Sequence, residues 1–273
     1  MDSLKGKFAI VGLGITEMGK IYGRTDEEFA AEAIQIAAND AGLKKDDIDG
    51  LLINAGTTHA LDPRFQNYLG LSNLSLLNHM NAWGATAIQM VQFAGMAVNA
   101  GMAKYVACVF SDAPLRETAG AGAAYSRAGR PGGIDTLRPA FGIYGNNATY
   151  AMAARRHMAL FGTTNNQFGA VAVAQRKWAS MNPLAQMKDR PLTIEDYHNS
   201  RWICEPLHLF DCTLVSNGGV AVIVTTAERA RTLKQPPVYV WGMGQGHPGN
   251  LDLRGGDRWV HSGGIQSGRQ AYE

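Results

Sequence analysis

The sequence predicts an α/β fold: a mainly parallel sheet with helices on both faces and an inserted loop domain. Three observations carry it. Apolar, strand-like runs alternate with helical patterns from residue 8 to residue 110, a Gly/Ala-rich stretch then breaks the pattern, and an apolar run at 218–225 resumes it. Strands alternating with helices imply parallel pairing through right-handed crossovers.

Phe8-Ala-Ile-Val-Gly-Leu-Gly14 is an apolar run ending in glycines, as a buried strand leaving a sheet reads. Thr25-Asp-Glu-Glu28 has capping-box spacing, Phe29, Ala33, Ile36 and Ala37 recur at helical intervals, and Gly42 is placed as the stop. Asp49–Asn54, Leu74–Asn78 and Lys104–Phe110 supply further strands, and Ala82–Ala100, rich in Ala, Met, Val and Gln, reads as a helix buried on most sides. Ala119–Ala124 and Arg130-Pro-Gly-Gly133 then interrupt the alternation; helices follow over Tyr144–Phe161 and Asn165–Met181, with a short one from Thr193. Gly218–Thr225 is a buried strand, Val238–Met243 another, and Gly268–Glu273 reads as the start of a helix. The organisation expected is an α/β core over residues 1–111, an inserted loop domain over 112–205, a return to the sheet over 206–245, and a linker with the start of a further half over 246–273.

With 273 residues, 46% of them hydrophobic and 18% charged, the chain has the composition of a packed globular protein. The formal charge of +2 has no basic run behind it, since Lys44–Lys45 is followed by Asp46–Asp47, so no nucleic-acid interface is expected. No window approaches the roughly 18 uninterrupted apolar residues of a membrane span, and Met1–Lys7 has no secretory character, so the expectation is a cytoplasmic protein. Cys108, Cys204 and Cys212 form neither a close pair nor a metal-ligand spacing, so no metal site or disulfide framework is expected. Gly12-Leu-Gly14 lacks the third glycine of a dinucleotide fingerprint, because position 17 is Glu.

The most informative segment is Leu77-Asn-His-Met-Asn-Ala-Trp-Gly-Ala-Thr-Ala-Ile88, where a strand ends and a helix begins. It resembles the nucleophile motif of thiolases, Asn-x-x-Cys-[Ala/Ser]-[Ser/Thr]-Gly-x-x-Ala-[Ile/Leu], with Asn78, Ala82, Gly84, Ala87 and Ile88 at matching positions. Asn81 stands where the family has its cysteine, and Trp83 where it has a small residue. Ser216-Asn-Gly-Gly-Val-Ala-Val-Ile-Val resembles the strand that closes the first half of thiolases. Asn182-Pro183, Leu192–Trp202 and Leu209-Phe-Asp-Cys212 look most like the sterol carrier protein X and lipid-transfer branch, and Gly6–Glu17 and Ala38–Gly50 agree. The resemblance covers nearly the whole chain and implies a thiolase fold whose C-terminal half is largely absent.

A thiolase cysteine at a helix N-terminus is activated by unpaired N–H groups and the helix dipole. The carboxamide of Asn81 offers hydrogen bonds and no useful nucleophile, so the acyl-enzyme route is closed there. Asn81 reads equally as a helix N-cap or as a group orienting a thioester carbonyl. Cys108 reads as a buried small hydrophobe, Cys204 and Cys212 have no activating neighbour in sequence, and His247 in Gly246-His-Pro-Gly249 reads as a loop residue.

The resemblance implies an acyl-CoA-handling protein. Cysteine-less members of this branch resemble aldolases that cleave or form a C–C bond of a β-hydroxyacyl-CoA, commonly beside an OB-fold, zinc-ribbon partner protein. Such a lyase, or an acyltransferase on a β-ketoacyl-CoA, would need the half not seen here or a partner. Asn81 and His79 are the candidate catalytic residues, and Trp83 and Gly84 the candidates for substrate binding. Arg176, Lys177, Lys188 and Arg190, in the presumed loop domain, are candidates for the CoA phosphates. Coenzyme A thioester is implied as substrate, with no covalently bound cofactor. The alternative is a non-catalytic acyl-CoA-binding or scaffold subunit. A homodimer meeting at the Leu74–Met80 edge is also implied.

Overall fold

A computed structural model of the chain describes residues 4–54, 56, 58, 61–120, 124, 137–247 and 262–273. In chain order the elements are β1 (Phe8–Ile15), α1 (Asp26–Ala41), β2 (Gly50–Asn54), α2 (Phe65–Leu69), β3 (Leu76–His79), α3 (Thr86–Asn99) and β4 (Val106–Asp112). Then come α4 (Leu137–Ala140), α5 (Gly145–Phe161), α6 (Asn165–Met181), α7 (Ile194–Asn199), β5 (Trp202–Cys204), β6 (Leu207–His208), β7 (Gly218–Thr226), α8 (Ala227–Ala230), β8 (Val238–Tyr239) and α9 (Gly263–Tyr272). The chain divides into two compact units, one of Met1–Arg127, Val215–Gln245 and Gln266–Glu273, the other of Ala128–Leu214 and Gly246–Ile265. The expected breaks at 121–123 and 130–133, and Gly249, lie outside the described residues.

The first unit is built on a six-stranded sheet in the order β3-β2-β4-β7-β1-β8. β2 pairs in parallel with β3 and β4, while β7 lies antiparallel between β4 and β1. The four strands read from the alternating pattern therefore share one direction. The sheet is nevertheless mixed, because β7 and β8 oppose β1. The register explains this: Asp112 at the end of β4 faces Gly218 at the start of β7. An antiparallel neighbour needs no crossover, so the chain leaves the sheet after Asp112 and rejoins it at Gly218 at the same end.

α1 starts where expected. Thr25 Oγ1 accepts the Glu28 N–H at 3.2 Å and Glu28 Oε2 accepts the Thr25 N–H at 2.9 Å, while Gly42 closes the helix in the left-handed conformation at φ 77°. Its apolar stripe, Ala30, Ala33, Ile34, Ala37 and Ala38, packs with Ala9, Val11, Leu51, Ile53 and Val109 on one face of the sheet. Met90, Ala94, Ala97 and Val98 of α3 pack with Phe8, Leu52, Cys108 and Val224 on the other. α3 is buried along this one stripe rather than on most sides, since Ile88 and Met96 are exposed.

The glycines of β1 serve packing rather than a turn: a Cβ at Gly12 or Gly14 would run into the carbonyl oxygens of Ala37 or Ala33 on α1. The same device recurs after β8, where Gly242 and Gly244 lie against the carbonyl oxygens of Ala271 and Ser267. β8 is shorter than the strand expected there, pairing β1 only at Ala9 and Ile10, and α9 begins five residues before the expected Gly268.

In the second unit Thr164 caps α6 and Thr193 caps α7, each in a capping box. Tyr197 of α7 is fully buried and its hydroxyl donates to Asp211 Oδ2 at 2.8 Å. The β5–β6 hairpin turns through a cis Glu205–Pro206 bond, and Asn165 Nδ2 holds the Pro206 carbonyl at 2.8 Å.

Candidate active site

The carboxyl ends of the parallel strands β2, β3 and β4 lie at one end of the sheet, the place where open α/β sheets present ligand sites. β3 is the edge strand there. After His79 the chain is held by two bonds to β2: the Met80 N–H donates to the Ile53 carbonyl at 2.9 Å, and Asn54 Nδ2 donates to the Met80 carbonyl at 2.8 Å. Asn54 is only 3% exposed, and its Oδ1 accepts the Gly56 N–H at 3.0 Å.

From Asn81 the backbone turns into a 3-10 turn at Trp83–Ala85 and then into α3. The expected cap role of Asn81 is corrected: Ala82 and Ala85 occupy the cap positions, and neither has a capping side chain. Asn81 Oδ1 instead accepts the Trp83 N–H at 3.2 Å, a local Asx-type bond that starts the turn earlier. The capping work falls to Thr86, 1% exposed, whose Oγ1 accepts the Ala82 N–H at 2.7 Å and donates to the Trp83 carbonyl at 2.7 Å. Trp83 has φ 53°, a conformation uncommon for a residue with a Cβ, and its ring is 81% exposed.

Two of the N–H groups at this helix start are thus already used, that of Ala82 by Thr86 and that of Trp83 by Asn81. The Gly84 N–H has no acceptor among the described residues, and a Cβ at Gly84 would meet nothing within 4 Å. His79 is exposed at the end of β3, and its charge adds a minor pull to the lowered carboxyl of Asp62, set mainly by Arg64. The structure therefore brings His79, Asn81, Trp83 and Gly84 onto one turn.

At the same sheet end, Asp112 closes β4 and Asp26 opens α1. Thr58 Oγ1 lies 2.6 Å from Asp112 Oδ1 and 3.2 Å from Asp26 Oδ2. Asp26 is 5% exposed and its Oδ1 is buried without a hydrogen-bond partner. Burial, with the nearby Asp112 and Glu27 charges adding to it, pushes the Asp26 carboxyl up to about 6 against the pull of Thr58 and the Ala113 amide.

Arg176, Lys177, Lys188 and Arg190 all belong to the second unit. Arg176 is engaged within it, donating from Nη1 to the Arg190 carbonyl at 3.1 Å with its guanidinium 5.3 Å from the Phe210 ring centre. Lys177 is exposed on α6, Lys188 Nζ is 4.0 Å from Asp189 Oδ2, and Arg190 is exposed.

No protein-family model matches the chain. Over 90% of its length it is 40% identical to a steroid side-chain-cleaving aldolase of Thermomonospora curvata. Over 89% it is 40% identical to a 17-hydroxy-3-oxo-4-pregnene-20-carboxyl-CoA lyase of Mycobacterium tuberculosis. A solved Ltp2-ChsH2(DUF35) aldolase matches 90% of the chain and 63% of its own at 38% identity and a TM-score of 0.79. An SCP2-thiolase-like protein of Mycobacterium smegmatis shares the fold across 92% of the chain and 53% of its own, at 19% identity and a TM-score of 0.69. The relatives match the thiolase superfamily in its sterol carrier protein branch, and the chain is similar to them. It spans 63% and 64% of the length of the two curated relatives.

The β3–α3 turn itself carries no cysteine. Cys108 is buried in β4, where burial drives its thiol far up. Cys212, in the second unit, is raised by burial and then by the Asp211 carboxylate. His247 is exposed. Asn54, Thr86 and the Asp26–Asp112 pair were not singled out in the sequence. Asn54 had a usable signal, a polar residue ending an apolar strand. Thr86 and Asp26 had none, because the partners of Thr86 are set by the turn and those of Asp26 by the fold bringing Thr58 and the end of β4 to the start of α1.

Proposed function

We propose that this chain is the N-terminal part of a thiolase-like lyase that breaks a carbon–carbon bond of a β-hydroxyacyl-CoA by a retro-aldol reaction. The observation that carries the reading is the β3–α3 turn: a carboxamide at the nucleophile's place, beside a Gly84 amide with no acceptor among the described residues and an exposed Trp83 ring. The names of the two 40% identical relatives, an aldolase and an acyl-CoA lyase, support it.

Retro-aldol cleavage needs no acyl-enzyme. A base takes the β-hydroxyl proton, the Cα–Cβ bond breaks as the ketone or aldehyde carbonyl forms, and the electron pair moves onto the thioester as an enolate that is then protonated on carbon. The Gly84 N–H and the Asn81 carboxamide are the donors for the enolate oxygen, where fixed dipoles at a helix start are most effective. His79 is the candidate proton carrier on this chain. Trp83 lies against the acyl group, and Lys177, Lys188 and Arg190 take the CoA phosphates. Arg176, being engaged internally, shapes that surface instead.

Among the described residues β3 is an edge strand, which suits a two-fold mate and otherwise invites aggregation, and this supports a homodimer. The second component in the name of the solved aldolase supports an additional partner protein. No helix among the described residues is long and apolar enough to cross a membrane. The division into core, loop domain, returning strand and further half is part of the same proposal.

The test is a panel of β-hydroxyacyl-CoA thioesters incubated with the protein as purified from its source, with any co-purifying partner. Release of a ketone or aldehyde with a shorter acyl-CoA is the expected result. A rise in melting temperature without products would move the chain to the alternative, a non-catalytic acyl-CoA-binding subunit, which the missing cysteine also favours.

A further inference from the structure

We propose that Thr86 and Asn54 are positioning residues that hold Trp83 as a wall for an acyl group bearing a flat ring system; this rests on the β3–α3 turn being the thioester site. Trp83 combines two costs that the fold does not require. Its backbone sits at φ 53°, which glycine would adopt freely, and its large apolar ring is 81% exposed, so it adds nothing to the core. A residue at such a position persists only if its surroundings over-determine it.

Those surroundings are unusually specific. One buried hydroxyl, Thr86 Oγ1, grips the backbone on both sides of the strained unit, accepting from Ala82 N–H and donating to the Trp83 carbonyl, each at 2.7 Å. Asn81 Oδ1 takes the Trp83 N–H between them at 3.2 Å. One step upstream, buried Asn54 fixes the Met80 carbonyl at 2.8 Å, anchoring the turn to β2. The backbone from 80 to 86 is therefore pinned to the sheet and to α3 while the indole projects outward. An indole carried on a pinned backbone presents its flat apolar face from a fixed origin, and stacks best on another planar surface. A straight acyl chain gains little from it.

Dissociation constants of two thioesters that cannot undergo the cleavage, 3-oxo-4-pregnene-20-carboxyl-CoA and butyryl-CoA, test this without relying on turnover. Thr86→Val keeps the shape and loses both hydrogen bonds, whereas Thr86→Ser keeps them. T86V is expected to weaken the ring-bearing thioester about tenfold and butyryl-CoA less than about twofold, with T86S near the parent protein. Asn54→Asp, unable to donate to the Met80 carbonyl, should follow T86V. In protein carrying 5-fluorotryptophan, the Trp83 resonance, assigned by its loss in Trp83→Phe, should broaden or split in T86V and stay single in T86S. An unchanged resonance and equal weakening of both thioesters in T86V would overturn the proposal. Failure of the lyase reading would appear separately, as binding without products.

Discussion

Asp26 and Asp112 meet through a single hydroxyl. Thr58 Oγ1 lies 3.2 Å from Asp26 Oδ2 and 2.6 Å from Asp112 Oδ1, and one hydroxyl proton cannot serve both carboxylates. The arrangement is satisfied when Asp26 carries its own proton and donates it to Thr58, which donates to Asp112. Burial favours the same assignment by raising Asp26 from its ordinary 3.8 to about 6.

The pH dependence follows. The folded state binds the Asp26 proton more tightly than the unfolded chain does. This contribution is therefore fully present below about pH 4, declines as pH rises through about 6, and is flat above. Asp26→Asn, which keeps the donor and removes the charge, should abolish the decline. Denaturant midpoints measured from pH 4 to 8 on both proteins check it; a parallel decline in the two would assign the dependence to another group.

The glycines of β1 should tolerate no side chain. Gly14→Ala places a Cβ against the Ala33 carbonyl and should cost about 2 kcal/mol or more, because backbone cannot move aside as a side-chain tip can. Gly84→Ala, whose Cβ meets open space, should stay within about 0.5 kcal/mol. Urea unfolding of both variants makes the comparison.

The cationic residues of the second unit should divide. Arg176→Ala loses the stacking on Phe210 and the bond to the Arg190 carbonyl, and should lower stability by about 1 kcal/mol. Lys177→Ala and Lys188→Ala should leave the melting temperature unchanged and weaken binding of a CoA thioester in a salt-dependent way. Thermal melts and titrations at two salt concentrations separate the outcomes.

Thiol labelling should follow burial. Cys108, between Leu52 and Val222 in the sheet, should resist a small alkylating reagent in the native protein, while half-buried Cys204 and Cys212 react. Peptide mass spectrometry before and after unfolding reads this directly.

The local elements and the thiolase-like resemblance were legible along the chain. The Thr25–Glu28 box and Gly42 placed both ends of α1, because caps act between residues a few positions apart. The run from Asn78 to Ile88 located the turn and the missing cysteine, because a strand end and a helix start are contiguous in the chain. The direction of β7, the use of Gly12 and Gly14, and the residues that hold the β3–α3 turn emerged from the folded arrangement. The antiparallel register of Asp112 with Gly218 depends on where an excursion of a hundred residues returns, which no periodicity records. Asn81 has the chemistry of a cap, yet Thr86 does that work, because hydrogen bonds go to whichever oxygen the folded turn brings within reach. The Asp26–Thr58–Asp112 chain joins residues 32 and 54 apart in sequence, and the raised proton affinity of Asp26 arises only once folding has buried its carboxyl.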